Sequence, residues 1–162
     1  MDAKGGRYGT ALQGASFESH EAVVRLLLEE GADVDTQGGD YGSALQAAAA
    51  AGGHETIVRW LLLEKGANVN TQSGCFGSAL QAAAVKGHDT ILRLLLEKGA
   101  DINIQGGVYG SALQVASFKG HEVIVCLLRR VQMCVQKAGT LAVRWRPGGG
   151  IGKWSPCDCR AP

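Results

Sequence analysis

Aromatic side chains are scarce in this 162-residue chain, at 6% of residues, although hydrophobic residues as a whole reach 46%. Burial must therefore come mainly from alanine and leucine, which favours small helices stacked closely over one bulky core. Proline is also scarce, with three residues, all at or beyond position 147. No apolar run approaches the roughly 18 residues that would span a bilayer, so no membrane partner is expected. The opening segment Met1-Asp-Ala-Lys-Gly-Gly-Arg7 has no apolar stretch behind its charges and does not read as a secretory leader. The five cysteines (Cys75, Cys126, Cys134, Cys157 and Cys159) are odd in number and irregularly spaced. They do not form a disulfide framework and fit a reducing compartment, so cytoplasm or nucleus is expected. A strong net charge is missing as well, but the overall +1 hides an asymmetry. Residues 1–128 carry nine Lys/Arg and fourteen Asp/Glu, a net of −5, whereas residues 129–162 carry seven basic residues and Asp158, a net of +6.

What the chain does have is an internal repeat. Tyr8-Gly-Thr-Ala-Leu-Gln returns as Tyr41-Gly-Ser-Ala-Leu-Gln, Phe76-Gly-Ser-Ala-Leu-Gln and Tyr109-Gly-Ser-Ala-Leu-Gln. The glycines at 9, 42, 77 and 110 are 33, 35 and 33 residues apart. A period of about 33 residues marks a stacked helical solenoid, an architecture that presents an extended surface. Binding is therefore the leading reading. No nucleophile, base and orienting group stand together at any spacing, so the chain is not expected to be an enzyme.

Each copy carries a Ser/Thr-x-x-Gln tetrad: Thr10 with Gln13, Ser43 with Gln46, Ser78 with Gln81, and Ser111 with Gln114. This is the capping-box pattern, which places helix starts at Ala11, Ala44, Ala79 and Ala112. These helices should stop near Ser19, Gly52, Gly87 and Gly120. A second helix should follow each of His20, His54, His88 and His121, since the next residue is always an acid, suited to the positive end of the helix dipole. Gly31, Gly66 and Gly99 then supply left-handed caps, followed by Gly-containing turns that form a short extended finger. The four histidines belong to different repeats and are too far apart to share one ion. No metal and no cofactor are expected.

The segment Gly87-His-Asp-Thr-Ile-Leu-Arg-Leu-Leu-Leu-Glu-Lys-Gly-Ala-Asp-Ile-Asn103 resembles the second half of an ankyrin repeat, with Ser-Ala-Leu-Gln where that family usually has Thr-Pro-Leu-His. The resemblance covers about residues 8–128 and repeats in phase. It implies an all-α solenoid of paired antiparallel helices with short finger turns rather than a true sheet. The expected ankyrin domain is 1–130, with repeats at about 8–40, 41–75, 76–108 and a partial 109–130. The variant is similar to arrays of filamentous fungal proteins, some of which sit behind a NACHT-type switching domain. A second reading is therefore a fragment of such a receptor-like protein, whose array senses ligands. Repeat 2 is 35 residues long because of one extra residue near Gly52-Gly53 and another at Trp60. An extra residue inside a helix rotates the remainder of that helix by about 100°, so local rearrangement is expected around Trp60.

The resemblance also implies where a partner would touch: finger tips and the exposed flank of the first helix. The tip position differs most among the copies, being Arg7, Asp40, Cys75 and Val108. Packing would favour one residue type, so these four are expected contact residues, with neutral drift at an exposed turn as the plain alternative. The neighbouring Tyr8, Tyr41, Phe76 and Tyr109 interchange Tyr with Phe and are expected to stack between fingers. On the flank, Phe17 and Glu18, Val85 and Lys86, and Phe118 and Lys119 occupy equivalent places. Each pair could anchor an interface, or Phe17 and Phe118 could fill space between repeats. The partner is expected to be another protein and the chain a monomer.

Repeat phase is lost after Leu128, as a retained intron or a frameshift would also produce. Residues 131–143 could fold as an imperfect helix over the apolar outer face of repeat 4. Most of the basic, Gly/Pro-rich stretch 131–162 is expected to be disordered. Residues 148–153 fail the phosphate-loop pattern, because Pro147 and Trp154 stand where Gly and Ser/Thr are required. Cys157 and Cys159 offer too few ligands for a structural zinc site. Arg/Lys residues with Trp145 and Trp154 give a third reading from another class, a nucleic-acid-associated protein, although such tails are usually just solvated.

Overall fold

The computed structural model describes residues 5–52 and 54–137. Its elements run α1 (Ala11–Phe17), α2 (Glu21–Glu29), α3 (Ala44–Ala50), α4 (Glu55–Leu63), α5 (Ala79–Lys86), α6 (Asp89–Glu97), β1 (Gln105–Gly106), β2 (Gly110–Ser111), α7 (Ala112–Lys119) and α8 (Glu122–Lys137). All eight helix starts fall where the capping tetrads and the His-acid pairs place them. Thr10, Ser43 and Ser111 form complete capping boxes with Gln13, Gln46 and Gln114. In repeat 3, Ser78 Oγ accepts from the Gln81 backbone N–H, but the glutamine side chain does not return the bond.

The first helices α1, α3, α5 and α7 stack in one row, and each packs against its own second helix. Helices of seven to nine residues are marginal alone, so this stacking must hold them. Every residue of α3 and of Ala79–Val85 in α5 is buried. Alanine suits these positions because it lets neighbouring backbones approach and carries little side-chain entropy. Leu45, Leu61, Leu80, Leu92 and Leu95 fill the space between the two helical rows.

Left-handed residues end the first helices at Gly87 and Gly120 and, without glycine, at Ser19. The second-helix caps at Gly31, Gly66 and Gly99 are also left-handed. The fingers form minimal antiparallel contacts, β1 with β2 and the isolated bridges Gly5 with Gly9, Gly38 with Gly42 and Ser73 with Gly77.

Two expectations are corrected. The extra residue of repeat 2 does not disturb α4 around Trp60, since α4 is nine residues long, as α2 and α6 are. It is taken up after the helix, where the Ala67 N–H reaches back six residues to the Leu61 carbonyl. In repeats 1 and 3, Ala32 and Ala100 reach back five residues. A wider capping loop costs less than rotating a buried face by about 100°. The boundary expected at residue 130 falls inside α8, which runs on to Lys137. Gln132 stands where glycine stops the other second helices, so nothing ends the helix there. Residues 131–137 accordingly extend α8 and do not fold back over repeat 4. Ile124, Leu127 and Leu128 are buried inward, while Val123 stays exposed. The remainder of the expected tail, with its two tryptophans and Cys157 and Cys159, lies outside the described residues.

Candidate partner-binding surface

The glutamine of each tetrad has a second role that a cap alone does not require. Gln13 Nε2 donates to the carbonyls of Thr36 at 2.8 Å and Gly42 at 2.7 Å, both beyond its own helix pair. Gln46 Nε2 does the same with Thr71 and Gly77, both at 2.9 Å, and its Oε1 accepts from Ser43 N–H at 2.8 Å and Ser73 Oγ at 2.9 Å. Gln81 reaches Ile104, Gly106 and Gly110. Each buried glutamine thus fixes the base of the next finger to its own helix. The identity of this residue in all four copies was the available signal, because a cap alone would also accept glutamate.

Held in this way, the finger tips line up. Asp40 N–H donates to the Arg7 carbonyl at 2.9 Å, Cys75 N–H to Asp40 at 2.8 Å, and Val108 N–H to Cys75 at 2.9 Å. The four residues that differ between copies therefore form a single hydrogen-bonded row. All four are exposed, Val108 at 74%. The Arg7 guanidinium lies 3.2 Å from the Asp40 carboxylate, an exposed pair that contributes little stability. Beneath the tips runs an aromatic ladder, with ring centroids of Tyr8 and Tyr41 5.9 Å apart, Tyr41 and Phe76 6.3 Å, and Phe76 and Tyr109 6.5 Å. The Tyr/Phe interchange is thus stacking between fingers.

The flank residues divide. Phe17 stacks on Tyr41 with centroids 4.1 Å apart and fills space between repeats. Val85 is 8% exposed within the core cluster, so its side chain is not available as a contact. Its neighbouring repeats close over it, and the equivalent residue in α3 is the buried Ala50. Phe118 is the opposite case: it is 80% exposed, with the Lys119 ammonium 5.7 Å from its ring. Glu18, Lys86 and Lys119 are exposed.

Burial pushes the Tyr41 phenol above its ordinary value of 10.0, against the opposing pull of the nearby Arg7 charge. The neutral form is the one the fold prefers, so this contribution to stability is constant below pH 10 and falls as pH rises through the folded value. In an absorbance titration of phenolate at 295 nm, the last tyrosine to ionise should vanish in Tyr41→Phe, and persistence of the late step would refute the assignment.

His88 Nε2 lies 2.6 Å from the Ala51 carbonyl and His121 Nε2 3.3 Å from that of Val85, tying the starts of α6 and α8 to the ends of the first helices of the preceding repeats, α3 and α5. Among the described residues, no three His, Cys, Asp or Glu side chains converge as a metal site. No helix there is long and apolar enough to cross a membrane.

Paired helices, finger turns and in-phase stacking are the geometry of one repeat family, and the comparison with family models agrees. The model for ankyrin repeats (three copies) matches residues 2–73 and 45–137, most of the chain. The chain belongs to the ankyrin-repeat family. A comparison with curated proteins finds no match. Ankyrin repeats are generally protein–protein interaction modules. Trp60 and its surroundings on the second-helix side were not singled out as a surface by the sequence.

Proposed function

We propose that this ankyrin array binds another protein, without catalysis, through the finger-tip row Arg7, Asp40, Cys75 and Val108 and the first-helix flank at Glu18, Lys86, Phe118 and Lys119. The observation that supports this most is the row itself. The backbone is the same at every tip while the side chains are a cation, an anion, a thiol and an aliphatic. A uniform scaffold carrying unlike, exposed side chains suits recognition, whereas packing would select one type. Phe118 adds an aromatic anchor beside a cation on the same side.

The test is site-specific photo-crosslinking in an extract of the source cells, with the photoreactive residue at Val108 and, as control, at Thr90 on the exposed side of α6. A discrete adduct from Val108 that is lost on Asp40→Arg, with nothing from Thr90, is the expected result. Equal adducts from both positions would reject the finger-tip surface.

A further inference from the structure

Repeat 2 opens a groove on the opposite side of the array. The second helices α4 and α6 pack together, as do α6 and α8, whereas α2 and α4 stand farther apart. The space between them is a groove of about 890 Å³ with an apolar floor of Leu26, Trp60 and Leu63. Leu26 is the sixth residue of its helix and 57% exposed, whereas Leu94, the sixth residue of α6, is 4% exposed. Leu63 is also exposed. The sixth residue of α4 is Trp60, whose ring lies under the Arg25 guanidinium of α2, so this position faces the preceding second helix. Among the described residues, Leu26 has no such helix before it.

The rims are charged and unequal in sign. Glu21, Glu29, Glu55 and Glu64 line the groove against Arg25 and Arg59, and the Lys65 ammonium lies 6.0 Å from the Trp60 ring centroid. Several of these charges are already engaged. Arg59 Nε donates to the Glu55 carboxylate at 2.6 Å, the Trp60 indole N–H donates to Glu64, and the Arg25 guanidinium sits 5.5 Å from the Trp60 ring centroid. Glu21 and Glu29, on one rim, are left as the carboxylates in excess.

We infer that this groove docks an amphipathic helix whose apolar face is flanked by lysine or arginine. The shape selects a helix, because the walls are two α-helices whose backbone groups are internally bonded, with no strand edge to extend. A partner must enter with side chains, and anchors at i, i+4 and i+7 match an apolar strip between two helices. The charge selects the sign: basic flanking residues pair with Glu21 and Glu29, while acidic ones are repelled by the same two carboxylates. This surface is separate from the finger-tip row, and neither needs the other.

The probe is a fluorescein-labelled peptide of about 12 residues, long enough to lie along a nine-residue helix. It carries leucine at i, i+4 and i+7 with lysine on both flanks, and a twin carries glutamate in place of lysine. Fluorescence anisotropy with the full chain should show saturable binding of the lysine peptide, weakened about tenfold or more by Leu26→Asp. Leu26 is exposed, so this variant should keep its melting curve. Glu21→Lys with Glu29→Lys leaves the floor intact and should reverse the preference between the two peptides. Equal binding of both peptides by the parent chain, or an unchanged preference in the double variant, would overturn the inference. So would self-association that Leu26→Asp abolishes, which would give the groove to a second copy. Binding seen only after truncation at Lys137 would also overturn it, by giving the groove to the chain's own basic segment.

Discussion

Replacing Gln46 by alanine should destabilise the array by about 3 kcal/mol or more, while the same change at Gln114 should cost about 1 kcal/mol or less. The two glutamines have the same sequence context and the same cap. Gln114 Oε1 accepts from Ser111 N–H at 2.7 Å, as Gln46 Oε1 does from Ser43 N–H at 2.8 Å. They differ in what the amide nitrogen reaches. Gln46 is 1% exposed and bridges to Thr71 and Gly77, so its loss strands the Thr71 carbonyl and the Ser43 N–H in the interior. It also leaves the Gly77 carbonyl with the Ser73 N–H alone and takes a partner from the half-buried Ser73 hydroxyl. Each buried polar group left without a partner costs about 1–3 kcal/mol. Gln114 is exposed, so water replaces what alanine removes. Urea unfolding followed by far-UV circular dichroism gives both values. A similar loss at the two positions would mean that the glutamine acts only as a cap and does not join repeats.

That contrast also marks what could be read from the sequence. The helix starts were legible because a capping box is a local device whose partners lie three residues apart. The left-handed caps at Gly31, Gly66 and Gly99 were legible for the same reason. The aromatic ladder could be read from the interchange of Tyr and Phe at a fixed place. What could not be read depends on the neighbouring repeat. Val85 and Phe118 occupy the same place in their helices, yet one is buried between repeats and the other lies open on the last one. Nothing local in either segment distinguishes them. The length of α8 follows from a local signal, because Gln132 in place of glycine removes the stop rather than the helix. The groove beside Trp60 depends on how α2 and α4 sit against each other, which no single segment encodes.

Gly74→Ala should cost about 3 kcal/mol or more and loosen two fingers together, whereas Gly66→Ala should cost about 1–2 kcal/mol. Both glycines have positive φ, +62° and +67°, so both substitutions carry the left-handed penalty of about 1–2 kcal/mol. Gly66 has nothing within 4 Å of an added Cβ, so that penalty is all it loses. At Gly74 a Cβ would fall 2.5 Å from the Gly42 nitrogen and 2.6 Å from the Asp40 carbonyl oxygen, backbone atoms that cannot turn aside. The Asp40 carbonyl is the group that accepts from Cys75 N–H, so relieving the clash means separating the finger that carries Cys75 from the one that carries Asp40. The methyl group therefore costs the strain plus the row of hydrogen bonds and the stacking of Tyr41 on Phe76. Native-state hydrogen exchange separates the two contributions. The amides of Cys75 and Val108 should lose protection in Gly74→Ala and keep it in Gly66→Ala. If both variants show equal stability and equal exchange, the close approach of the fingers does not hold the row, and the finger tips would be four independent turns rather than one surface.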